Sequence, residues 1–215
     1  MSQPHRQYTE LEEKLNYSSH FLGLIFFIIS SIYMLVKVIN IHNNVNIAGL
    51  IIYCVGLVAV YATSFSYHYV KDRELKFKLR TLDHMAIFLL IGGTYTPIVN
   101  KFIENPLGTI FLSILWAILI AGIVLKFFFM GRFKAFSIGL YIFLGCMVLF
   151  IIKPIVSNMP HHIFILILLG GISYLVGVLF YVNKKVIYTH TVWHLFVLLA
   201  SFLHFLAIYK ISLEP

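Results

Sequence analysis

The chain has 215 residues, of which 60 % are hydrophobic, 16 % aromatic and only 11 % charged, with 16 Lys and Arg against 8 Asp and Glu for a net charge of +8. That balance excludes an ordinary soluble domain, in which about a quarter of residues are charged, and indicates a membrane protein. The basic residues are divided among short loops rather than gathered on one face, which argues against nucleic-acid binding.

Residues 1–19 are polar and contain neither an apolar core nor a small-residue cleavage site, so we expect a cytoplasmic N-terminal segment rather than a removable signal peptide. Residues 20–215 then form a single transmembrane domain. It contains seven apolar runs, at 20–40, 46–70, 82–101, 107–128, 135–153, 162–182 and 190–210. Each is close to the roughly 20 residues that an α-helix needs to cross hydrocarbon. The expected fold is therefore all-α: an integral membrane bundle of seven transmembrane helices with its termini on opposite sides. Lys and Arg set the orientation. Arg6, Lys14, Lys71, Arg73, Lys76, Lys78, Arg80, Lys126, Arg132, Lys134, Lys184 and Lys185 fall on one side, against Lys37, Lys101, Lys153 and Lys210 on the other. This excess predicts a cytoplasmic N-terminus, an outer C-terminus and a multi-pass protein of the cell (plasma) membrane.

Polar residues inside such runs are costly and are functional candidates by default. Leading into the first run are Glu13, Asn16 and His20, at i, i+3 and i+7. Ser64 and His68 stand one turn apart near the end of the second, and Asp83 and His84 open the third. Further along the third run, Gly92 to Pro97 should loosen or kink the helix, which leaves room for a substrate gap there. Runs four to six carry no evident chemical group. The small-residue pairs there, Ala117 with Ala121 and Ser173 with Gly177, suit close helix packing. Cys54 and Cys146 read as apolar packing and imply no disulfide. The seventh run begins with His190 and His194, again one turn apart, and carries His204 about 15 Å of helix rise further on, where an interhelical hydrogen bond is expected. His161 and His162 belong to an outer loop, and His5 and His42 are expected to be exposed.

The alternating topology puts Glu13, His68, Asp83, His190 and His194 at one depth, near the cytoplasmic leaflet. Three imidazoles from two helices can supply three corners of a tetrahedral zinc site and leave the fourth open, as catalytic sites do. Asp83 can then orient water or take its proton, and Ser64 can donate to an oxyanion. An isolated H-x-x-x-H is better explained by ordinary interhelical hydrogen bonding, and it is the third histidine and the aspartate at the same depth that bring the metal reading level with it.

Four segments resemble a known family. Glu12 to His20 matches an E-E-x-x-N-x-x-S-H opening and Ser64 to His68 matches S-x-x-Y-H. Leu82 to Pro97 matches L-D-H-x-x-I-x-L-L-I-x-G-T-Y-T-P, and the run from His190 matches H-x-x-W-H-L-F-V-L. In order and position they resemble the hemolysin III family, which is similar to the progestin and adipoQ receptors and to alkaline ceramidases. The resemblance implies a seven-span fold with His68, His190 and His194 as zinc ligands, Asp83 facing the zinc-associated water and Ser64 nearby. It places Glu13, Asn16, His20 and His84 among the motif residues around that site. Hydrolysis of lipid amides, including ceramide, has been linked to the receptor and ceramidase branches. His84 follows the bacterial branch, so the identity of the substrate does not transfer.

Two functions follow as expectations. One is a zinc-dependent membrane hydrolase of a lipid amide or ester. The other is a non-enzymatic membrane protein, a cytolysin, pore former or homeostasis factor, in which zinc is structural. Membrane lipid is substrate in the first and environment in the second. No feature of the sequence specifies an oligomeric state.

Overall fold

The computed structural model describes residues 8–41, 46–183 and 185–213. His5, Arg6, His42 and Lys184, which entered the sequence reading, lie outside the described residues. Seven helices are long and apolar enough to cross a membrane: α1 (Glu10–Ile41), α2 (Ile47–Tyr69), α3 (Arg73–Phe102), α4 (Leu107–Phe129), α5 (Lys134–Asn158), α6 (His161–Val182) and α7 (Thr189–Leu213). Among the described residues there is no strand.

Two helices reach well beyond their apolar runs because polar chemistry extends them. α1 starts at a reciprocal capping box. The Glu12 amide donates to Thr9 Oγ1 at 3.2 Å, and the Thr9 amide donates back to Glu12 Oε2 at 2.9 Å. This brings Glu12, Asn16 and His20 into the helix and buries them within the bundle. α3 starts at Arg73, where Asp72 Oδ1 caps the Leu75 amide at 2.8 Å.

α3 stays helical through Gly92 to Pro97 rather than loosening, and Thr94 and Tyr95 of this stretch line a large cavity. A Cβ at Gly93 would lie 2.9 Å from Tyr53 Cα, and one at Gly56 would lie 2.9 Å from the Leu89 carbonyl oxygen. The glycines therefore let the backbones of α2 and α3 touch. Thr96 Oγ1 bonds the Gly92 carbonyl at 2.7 Å and accepts from Trp116 Nε1 at 3.2 Å, which ties α3 to α4. The break falls instead in α5, which tightens to a 3₁₀ turn at Met147–Ile151. There the Tyr95 hydroxyl donates to the Gly145 carbonyl at 2.9 Å and accepts from the Val148 amide at 2.8 Å, inserting a side chain into the helical ladder.

α1 packs on α2 and α7, α2 on α3, α3 on α4, and α6 on α7. One apolar cluster joins α1, α2 and α7 through Phe27, Leu57, Tyr61 and Phe205, and the other joins α3 to α6 through Phe88, Leu115, Leu119, Leu144 and Ile163. On α4 the packing face is Leu115, Leu119 and Gly122, whereas Ala117 and Ala121 are exposed, contrary to the small-residue expectation. Ser173 and Gly177 are buried as expected, with Gly177 set against Trp193 and Phe196. Large apolar residues such as Leu22, Phe128 and Phe150 cover the outside, the inverse of a soluble surface. α5 lies against α3 and α4 but scarcely touches α6, and the bundle is hollow on that side.

Candidate metal centre

The site lies at the bundle end where α1 and α7 begin and α2 runs out. His68 sits one residue before the end of α2, and His190 and His194 occupy the first two turns of α7. Their Nε2 atoms face one another: His190 to His68 at 3.2 Å and His194 to His190 at 3.1 Å. One ligand atom from each of the three lies within 4.8 Å of the others. Ligands held tetrahedrally at about 2.0–2.1 Å from zinc are about 3.3 Å apart, so these spacings suit a metal ion.

Proton bookkeeping points the same way. His68 Nδ1 lies 2.6 Å from Glu13 Oε2, and a carboxylate only accepts, so the proton is on Nδ1 and Nε2 offers its lone pair to the cluster. The single Nε2 of His190 is either a donor or an acceptor. It can satisfy one of its two imidazole neighbours by hydrogen bonding, but not both. A cation among the three lone pairs would satisfy all of them.

Behind the ligands stands a polar scaffold. Lys76 Nζ donates to Glu13 Oε1 at 2.8 Å, so Glu13 links a lysine on α3 to His68 on α2. Such a carboxylate fixes the ring orientation and raises the basicity of a metal-binding histidine. Thr191 Oγ1 donates to Asn16 Oδ1 at 2.6 Å, joining α7 to α1 beside the histidines. His20 is buried with its ring centroid 3.8 Å from that of His194, and neither of its ring nitrogens has a hydrogen-bond partner. It packs on the cluster rather than binding through it.

Asp83 stands outside the histidine trio but lines the same cavity. Ser64, buried on α2, lines that cavity with it. His84 also lines the cavity, and its carbonyl accepts from the Tyr141 hydroxyl at 2.9 Å. His204 donates Nε2 to the Ile167 carbonyl at 3.1 Å, between α7 and α6. His161 and His162 are exposed at the start of α6.

Three residues near the site were given no role from the sequence, Glu12 having entered only as the first letter of a motif. Tyr8 stacks on His190 with centroids 4.9 Å apart and roofs the cluster, and burial holds its phenol above the ordinary value. Glu12 spends Oε1 on the Tyr188 amide at 2.9 Å, fastening the α1 cap to the turn before α7. Lys126, counted above only as a loop charge, is 3 % exposed in the last turn of α4 and lines the cavity. Thr9-x-x-Glu12 is a readable capping signal. Nothing local to Tyr8 or Lys126 announces its place.

Below the histidines opens a cavity of about 1660 Å³. Its walls are mostly apolar, with Ile91, Ile98, Leu149, Ile155, Phe164 and Leu168 among them, and it reaches as deep as His204.

A family model described as Haemolysin-III related matches residues 8–205. This chain belongs to that family. It is 34 % identical over 191 residues to the Hemolysin-3 homolog of Bacillus subtilis (strain 168), covering 89 % of this chain and 90 % of the relative. It is 35 % identical over 197 residues to Hemolysin-3 of Bacillus cereus, covering 92 % and 90 %. A more distant relative, the human Monocyte to macrophage differentiation factor, is 29 % identical over 168 residues, covering 74 % and 68 %. In this haemolysin-III chain all three converging histidines fall inside the matched region, as do Glu13, Ser64 and Asp83.

Proposed function

We propose that this haemolysin-III protein is a zinc-dependent hydrolase of a lipid amide or ester, in the plasma membrane with its N-terminus and metal centre on the cytoplasmic side. One observation carries the reading: three imidazole Nε2 atoms with the spacing of metal ligands close the end of a large apolar cavity that Asp83 also lines. That cavity exceeds the roughly 300–1,000 Å³ of ordinary ligand pockets and suits a long acyl chain. The sparse contact of α5 with α6 would admit the chain sideways from the bilayer. The orientation rests on the basic excess at the site end.

Zinc bound there would supply Lewis acidity, polarising a carbonyl and making water more acidic. The chain's own groups would do the rest. Glu13 and Lys76 hold His68 in the ligating tautomer, and Tyr8 covers the trio on its outer side. Asp83 takes a proton from the attacking water and returns it to the leaving amine or alkoxide, so that water is added across the cleaved C–N or C–O bond. Ser64 has one hydroxyl proton. Spent on Asp83, that proton would position the carboxylate; spent on the substrate, it would hold an oxyanion.

The test is metal content and turnover on the same purified samples. His190→Ala and His194→Ala should each lose bound zinc and hydrolysis together, whereas Asp83→Asn should keep zinc and lose hydrolysis. A full equivalent of zinc in the double histidine variant would end the ligand assignment. The name of the Bacillus cereus relative favours a second reading, membrane lysis with a structural metal. Dye release from liposomes that survives replacement of all three histidines would support it instead.

A further inference from the structure

A buried cation at the cavity mouth has no anionic partner among the described residues. Lys126 lies in the last turn of α4, 3 % exposed, with Nζ 6.0 Å from the Tyr141 ring centroid. Among the described residues it has no hydrogen bond and no ion pair. A second cation, Arg80 of α3, lines the same cavity, one turn before His84, whose carbonyl accepts from that same Tyr141. Arg80 also has no carboxylate partner among the described residues, and its buried Nε lacks a hydrogen bond. Asp83, one turn further along α3, forms no ion pair with Arg80 among the described residues. The guanidinium is seated against the turn that follows α4: a Cβ at Gly131 would meet Arg80 Nη2 at 3.5 Å, and Gly131 has a left-handed φ of 87°.

Two like charges lining one partly dry mouth are unfavourable unless an anion lies between them. A guanidinium fork beside an ammonium is the pairing that phosphate oxygens satisfy well. Both side chains line the same cavity as Asp83 and the histidines. Arg80 and Asp83 are three residues apart, about 4.5 Å of helix rise. We infer that Arg80 and Lys126 form a binding site for the anionic headgroup, a phosphate, of the lipid whose acyl chain fills the apolar cavity. The substrate class of the proposed hydrolase is then an anionic lipid, with its charge at the mouth, its amide or ester bond beside Asp83 and its tail among α3, α5 and α6. Naming the substrate rests on the hydrolase reading. Binding of the anionic lipid does not.

The two are separated by measuring binding rather than turnover, with the full chain in neutral detergent and an Asp83→Asn background so that no lipid is consumed. Monooleoyl lysophosphatidic acid and monooleoylglycerol share an acyl ester and differ by the phosphate. Titration calorimetry should find the phosphate-bearing lipid at least about tenfold tighter, a preference that weakens as salt rises. Lys126→Gln and Arg80→Gln should each abolish most of the preference, and Lys126→Arg should retain it. Two glutamine sites keep the test decisive should one variant fail to fold. Equal affinity for the two lipids, or a preference that survives both glutamine variants, would overturn the inference. Displacement of the lysolipid by inorganic phosphate at matching concentration would overturn the assignment to a lipid headgroup. Absence of turnover of either lipid in the unsubstituted protein, with the preference intact, would count against the hydrolase alone.

Discussion

Glu13 acquires its role from its neighbours. On an isolated helix it would be a solvated charge. Here one carboxylate oxygen holds His68 Nδ1 and the other holds Lys76. Glu13→Gln keeps the shape but can present its amide group to His68, which removes the bias toward the ligating tautomer. Zinc affinity, measured by chelator competition, should fall about 10- to 100-fold without loss of the fold. Tyr8→Ala should unroof the cluster and speed metal release to a chelator while leaving the three ligands in place.

At the scale of the element, the α1 cap and the α2–α3 contact are the most exposed to test. Thr9→Ala removes half of the capping box and should lower stability by about 1 kcal/mol. Glu12→Ala should cost more, since Glu12 also satisfies the Tyr188 amide. Detergent-solubilised thermal unfolding would rank the two. Gly92 and Gly93 offer a paired comparison. An added methyl at Gly92 would meet side-chain atoms of Leu119 and Trp116 at 2.7 Å, but at Gly93 it would meet the Tyr53 backbone at 2.9 Å. Side chains can rotate aside and backbone cannot. Gly93→Ala should therefore be the more destabilising, in the range of about 1–3 kcal/mol for overpacking.

The whole molecule is a bundle tied together at one end by polar bonds among α1, α2, α3 and α7 and hollow between α3, α5 and α6. A metal ion that binds the folded state alone would stabilise it by mass action. Chelation should lower the melting temperature of the unsubstituted protein and leave that of His68→Ala unchanged. The proposed orientation is checked by single-cysteine labelling in cells, in a background lacking Cys54 and Cys146. A cysteine at Lys71 should react only after the membrane is permeabilised, and one at Lys101 should react from outside.

The seven spans were legible in the sequence because they depend on a local quantity, apolar length against bilayer thickness. The H-x-x-x-H pair was legible too, because one helical turn fixes that spacing. Only the tertiary structure decided that Glu13 bonds His68, that Gly92 and Gly93 join helices rather than loosen one, and that the Lys126 of an apparently inert span is buried at the cavity mouth. These outcomes depend on which helix lies across from which, and a one-dimensional pattern does not encode that until the chain has packed.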